Sequence, residues 1–227
     1  MTSSGTATFI MDFTELAEEA FERAGQVIRT GYDLRTARRS MNLLTIEWIN
    51  RGLNMFTMEE GTIALVVGQS EYDLLADTVD LMEVMIRTNS GSVLSQSDMP
   101  ANRISVSNYA AIPNKLLSGK PNQVLVRRLA SVPKVVVWPV PDRAGYFLQY
   151  WRLRRIQDAG DGVETPDVSF RFYPALVAGL AYFIAQKLPE SANRLPFLKQ
   201  EYEEQYRMAA EEDREKASVR FIPRICR

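Results

Sequence analysis

From Leu34 to Leu75 the chain reads LRTARRSMNLLTIEWINRGLNMFTMEEGTIALVVGQSEYDLL. Two periods are written into this stretch. Ala37, Met41, Leu44 and Trp48 recur at steps of four, three and four residues, which stacks them on one side of a helix. Leu43, Ile46 and Leu53 form a second, adjoining apolar flank, so this helix is expected to touch two neighbours. Arg35, Arg38, Arg39, Glu47 and Arg51 occupy most of the remaining surface. After Gly61 the period changes to two. Ile63, Leu65 and Val67 alternate with Thr62, Ala64 and Val66, and Tyr72 and Leu74 with Glu71 and Asp73. With Gly68-Gln69 between its halves, that alternation predicts a β-hairpin. The stretch is the joint at which a helical part hands the chain to a β part.

Upstream, 13–28 is a shorter amphipathic helix. Leu16, Ala20, Phe21, Ala24, Val27 and Ile28 share a face, and Glu15, Glu18, Glu19, Glu22 and Arg23 lie largely outside it. Asp12 or Thr14 is placed to cap its start, and the early glutamates suit the positive end of the helix dipole. Gly31 separates the two helices, with Asp33 the expected N-cap of the second. Downstream the helical period fades. Strands are predicted over 79–86, 123–129, 134–140 and 145–153, the last two joined as a hairpin through Pro141-Asp142. Residues 89–102 read as a polar loop, and Ser107 as the cap of one helical turn. The helical period returns over 176–188, apolar almost all round and so central in a bundle or a subunit interface. There Gly179 and its neighbouring alanines allow another helix to come close. A last helix, 191–216, carries a narrow stripe of Leu195, Leu198, Tyr202 and Tyr206 among many acids. The expected fold class is α+β. A helical bundle is formed by N- and C-terminal segments (1–60 and 166–217), with an inserted antiparallel β domain (61–165) and an extended C-terminal tail (218–227).

Composition narrows the function. Twenty-seven basic and 28 acidic side chains leave a net charge of −1, against an open nucleic-acid surface dominated by Lys and Arg. There is no histidine, so the commonest general base and transition-metal ligand are missing. The one cysteine, Cys226, has no intrachain partner for a disulfide, and a structural zinc site lacks ligands. No cofactor is expected. The acidic loop Asp158–Asp167 fails the calcium-loop spacing, because Gly160 and Gly162 stand where oxygen ligands are needed. No apolar run is long enough to span a membrane, and MTSSGTATFIMDF has no basic region of the kind that opens a secretory signal. At the far end, SVRFIPRICR interleaves Val219, Phe221, Ile222 and Ile225 with Arg220 and Arg224, without an acid. Pro223 forbids a regular helix there. The pattern suggests a segment that docks on another surface.

Four runs in order carry a family likeness: WINRGLNMFTMEEGTIALVVGQSEYDLLADTVDLMEVMIR (48–87), SVSNYAAIPNKLLSGKPNQ (105–123), VWPVPD (137–142) and LQYWRLRRIQDAGDGVETPDVSFRFYPALVAGLAYFIAQK (148–187). Through them the chain resembles the head-to-tail connector (adaptor) proteins of short-tailed bacteriophages, over about 34–215. The resemblance implies a structural, non-enzymatic virion protein, assembled in the host cytoplasm. It implies a ring of twelve copies under the portal protein that extends the DNA channel and helps retain packaged double-stranded DNA. A tail nozzle or tube protein would attach to that ring. It further implies that the helical part and the tail (Val219, Arg220, Phe221, Ile222, Arg224, Ile225) meet the portal, while the β part faces the distal tail. Trp48, Leu53, Tyr182, Phe183, Tyr202 and Tyr206 are the candidate contacts between copies, and one apolar flank of 34–53 is expected against the neighbouring subunit.

The residues leave two other readings open. Tyr146–Arg155 (YFLQYWRLRR) interleaves aromatics and arginines, a pattern that could stack bases and hold phosphates through Trp151, Arg152, Arg154 and Arg155. It also reads as a half-buried strand. A glycan hydrolase needs only two carboxylates at the right separation, and Glu59, Glu60, Asp158 and Asp161 are its candidates.

Overall fold

In the computed structural model, which describes residues 3–52 and 55–214, the chain divides into two compact units. One takes in Met1–Phe56 and Ile156–Arg227, the other Thr57–Arg155. Helices are α1 (Phe13–Ala24), α2 (Gly31–Arg51), the single-turn α3 (Val106–Ala110), α4 (Tyr173–Ala185) and α5 (Leu195–Glu212). The class is α+β, with helices from both ends of the chain and antiparallel sheets between them in sequence. The extended tail, 218–227, lies outside the described residues.

In the helical unit α4 is the axis. It packs against α1, α2 and α5, as its all-round apolarity predicts. Ala175, Ala178, Leu180 and Ala181 are wholly buried. Gly179 sits where a Cβ would stand 2.8 Å from the Tyr202 ring and 2.9 Å from both Leu44 methyls. Its missing side chain is what lets α4 lie this close to α2 and α5. Pro174 stands in the first turn of α4, where the absent N–H costs nothing.

The helix ends differ from the expectation in instructive ways. α1 stops at Ala24, because Gly25 takes the left-handed conformation (φ 85°) and its N–H closes on Phe21 and Glu22. Val27 is therefore outside the helix and exposed. Asp12 and Glu15 form a reciprocal capping box at its start. For α2 the N-cap is Thr30, not Asp33. Asp33 lies three residues in, and its carboxylate accepts from the backbone N–H groups of Arg29 and Thr30 at 3.1 Å each.

The β unit, expected as an inserted antiparallel β domain, contains two four-stranded sheets sharing one core. Its strands are β1 (Met58–Ala64), β2 (Glu71–Asp73), β3 (Thr78–Thr88), β4 (Ser97–Pro100), β5 (Asn102–Arg103), β6 (Ser118–Gly119), β7 (Gln123–Arg127), β8 (Lys134–Trp138), β9 (Val140–Pro141) and β10 (Tyr146–Arg154). The sheets run β1-β10-β3-β4 and β2-β8-β7-β5, antiparallel except for β5 beside β7; β6 pairs with β9 in a short parallel ribbon. Leu81, Val84, Ile86, Leu148 and Tyr150 from the first sheet meet Tyr72, Val124, Val135 and Val137 from the second in a shared core.

Both expected hairpins are corrected. β1 pairs with β10 and β2 with β8, so the chain changes sheets between Ala64 and Glu71. The crossing is tied down by Tyr72. Its phenol oxygen accepts from Val66 N–H at 2.9 Å, and its hydroxyl donates to the Gln69 carbonyl at 2.9 Å. Gly68 supplies the positive φ of 79° that the turn requires. β8 and β10 likewise lie in different sheets. The polar loop contains β4, paired with β3, and Ser105, not Ser107, caps α3. Gly61, where the period changes, lies inside β1 opposite Tyr150, whose ring atoms would be 2.5 Å from a Cβ there. The glycine is the seat of that ring.

Candidate assembly surfaces

The residues singled out as contacts between copies converge, but inward. Trp48 and Tyr202 are 0 % exposed, enclosed by their own chain. The Trp48 indole N–H donates to the Tyr202 phenol oxygen at 3.0 Å, and that hydroxyl donates to Glu47 at 3.3 Å. Phe172 and Tyr206 lie 5.3 and 5.6 Å from the Trp48 ring. The Arg51 guanidinium covers Tyr202 and Tyr206 at 4.9 and 4.8 Å and is held by Glu47 and Glu203. Burial, then the Glu47 charge, push the Tyr202 phenol far up, so it stays a neutral donor. The expectation that Trp48 and Tyr202 meet a neighbour is therefore corrected. A tyrosine and a tryptophan with partners for their polar atoms pack inside as readily as at an interface. Tyr182, Phe183 and Tyr206 are only partly buried and keep surface to offer. Leu53, like Val219, Arg220, Phe221, Ile222, Arg224 and Ile225, lies outside the described residues.

The second apolar flank of α2 is the part of the reading that reaches the surface. Leu43 is 55 % and Ile46 42 % exposed. They continue a stripe, Tyr32, Arg35, Arg39, Leu43, Ile46, spaced by three and four residues and open along the helix. Tyr32 gave no sequence signal, because it stands a full turn before the periodic run.

The basic-aromatic segment is committed elsewhere. Arg152 points with Tyr146, Leu148 and Tyr150 to the core side of β10 and is only 5 % exposed. It donates to Asp77 at 2.5 and 3.1 Å, to Glu59 at 2.7 Å and to the Thr78 hydroxyl at 3.0 Å. Arg154 donates to the other Glu59 oxygen at 2.6 Å. Trp151 is on the opposite, exposed side. The guanidinium a phosphate would need is already matched by carboxylates. The same contacts occupy Glu59, the leading candidate for acid–base chemistry. Glu60 accepts from Gln149, and Asp161 pairs with Arg38 at 2.9 Å. Among the described residues no group of three or more His, Cys, Asp or Glu could hold a metal ion, and no helix is long and apolar enough to cross a membrane.

This cluster predicts a pH-dependent stability. The Arg152 hydrogen bond holds the Asp77 carboxyl below its ordinary value, against opposing burial. A carboxyl depressed in the folded state stabilises above its unfolded pKa, near 3.9, and that contribution is lost as pH falls through the folded value. Arg152→Met should cost about 1–3 kcal/mol at pH 7, below the full cost of orphaning buried charge, because both carboxylates are nearly half exposed to water. Denaturant titrations should show the gap from wild type narrowing below pH 4. A gap independent of pH would remove the cluster from the stability of the β unit.

Among curated proteins, none matches the chain. A family model described as SU10 adaptor protein matches residues 11–224, running through the helical unit and the β unit alike. The chain belongs to the SU10 adaptor protein family, as a structural bacteriophage adaptor of the head–tail junction.

Proposed function

We propose that copies of this chain assemble as a ring under the portal protein, twelve in number as the likeness to short-tailed phage connectors implies. The ring extends the channel for packaged double-stranded DNA, helps retain that DNA, and gives the tail nozzle or tube protein its platform. In this reading the helical unit and residues 219–225 meet the portal, and the β unit faces the next tail component. The observation that carries it is the span of the adaptor-family match, residues 11–224. The near-zero net charge fits a wall that DNA slides past, since a strongly basic wall would hold the phosphates.

Weighing particles formed from the full chain and purified portal tests it. The expected product is the portal plus about twelve chains in a closed ring. A chain that stays single beside the portal, yet binds DNA with a steep salt dependence, would overturn the reading.

A further inference from the structure

Two exposed stripes of opposite sign lie on different helices of the helical unit, and neither is neutralised by an ion pair among the described residues. On α1, Glu18 and Glu22 are exposed and make no ion pair among the described residues. Phe9 (75 % exposed) and Ile10 (58 %) line the same shallow concavity as these glutamates. On α2, Arg35 and Arg39 are exposed and likewise make no ion pair among the described residues. Tyr32, Leu43 and Ile46 continue their stripe as exposed apolar surface. Lys187, at the end of α4, adds a third cation. Burial chiefly, and secondly the nearby Arg39 charge, lower its pKa. Asp33, two residues before Arg35, is spent on capping α2, and Glu19, beside Glu18, pairs with Arg23.

α1 and α2 both bury their inner faces on α4, so these outer stripes occupy separate sectors of one bundle. Each combines charge with apolar side chains, the make-up of a contact surface more than of a solvated face. A patch and its complement at different places on one molecule make a head-to-tail contact, the kind that closes into rings. We propose that the α1 stripe of one copy docks on the α2 stripe of the next. Glu18 and Glu22 then face Arg35 and Arg39, and Phe9 and Ile10 cover Leu43 and Ile46. The occupant is a second copy, because the matching charge and the matching apolar surface are both on this chain. The inference rests on the ring reading and names its interface.

Charge exchange tests it in the full chain, with particle mass on purified portal as the readout. Glu18→Arg with Glu22→Arg should lower the number of chains per portal, and so should Arg35→Glu with Arg39→Glu. A chain carrying all four changes should regain the wild-type mass. Glu18→Gln with Glu22→Gln keeps size and helix propensity, and guards against a variant that fails to fold. It should weaken association about tenfold at low salt and less at high salt. If the single-face variants build particles of wild-type mass, the pairing falls and the ring stands. If both lose association and the fourfold variant does not recover it, the stripes serve a different partner and the proposal fails. A wild-type chain that never associates sinks the ring and this interface together.

Discussion

Replacing Trp48 by alanine is expected to lower the stability of the helical unit by about 3–5 kcal/mol, the range for deleting a fully buried large aromatic. Three observations place it near the top of that range. Trp48 has no exposed surface. Its ring is a shared wall for Phe172 and Tyr206, so truncation strips contacts from neighbours on other elements. Its N–H is the donor to a buried phenol, and that phenol would lose one of its two hydrogen bonds. Tyr202→Phe isolates the last effect. It removes only an oxygen, but leaves the indole N–H unsatisfied in a dry site, at about 1–3 kcal/mol. Adding Trp48→Phe to Tyr202→Phe removes both polar partners, so the double variant should cost less than the two single changes summed. Far-UV circular dichroism in denaturant reads the helices directly. A Trp48→Ala loss under about 1 kcal/mol would mean the site collapses around the gap, and that α2, α4 and α5 are less tightly fixed than described.

The same residues show where a sequence can be read and where it cannot. Ala37, Met41, Leu44 and Trp48 declare a buried face because helical periodicity reports local geometry. The all-round apolarity of α4 declares a centre for the same reason. What periodicity does not report is the partner. Trp48 and Tyr202 read as interface candidates because a large aromatic on an apolar face is the same signal whether the covering surface belongs to this chain or to another. Leu43 and Ile46 carried a weaker signal and turned out to be the exposed pair. In the β unit, alternation marked the main strands but not their pairing, which is set by contacts distant in sequence. Ile63 pairs across to Leu148 and Tyr72 to Val135, so a hairpin inferred from adjacency was the wrong default. The half-buried strand that Tyr146–Arg155 also suggested is present as β10 (Tyr146–Arg154), but the ion pairs that hold Arg152 were not legible. Its two carboxylate partners come from β1 and from the turn before β3, and nothing near Arg152 in sequence announces them.

Deleting Ser218–Arg227 should abolish binding to the portal while leaving both units folded. Among the described residues, the apolar cores of the two units extend no further along the chain than Ala209, so far-UV circular dichroism and the denaturant midpoint should hardly move. Binding is another matter. A ten-residue segment with four aliphatic or aromatic side chains and several arginines is expected to bind weakly alone, because so few side chains offset the cost of association. In the proposed ring many such segments would engage one portal together. After the first attaches, the others bind at high effective concentration, which multiplies affinity by roughly 100-fold to 10,000-fold. The expected loss is therefore a collapse and not a modest weakening. The mechanism separates charge from apolar contact. Arg220→Gln with Arg224→Gln should weaken binding most at low salt, whereas Phe221→Ala with Ile222→Ala should weaken it at every salt concentration. Portal binding unchanged by the deletion would rule the segment out as the hook and leave the portal contact to the helical unit. Free peptide 218–227 sets the scale. If it competes only at high concentration while the intact ring holds fast, avidity is the cause. If it competes at the concentration of the ring, each segment binds tightly by itself and multiplicity is not needed.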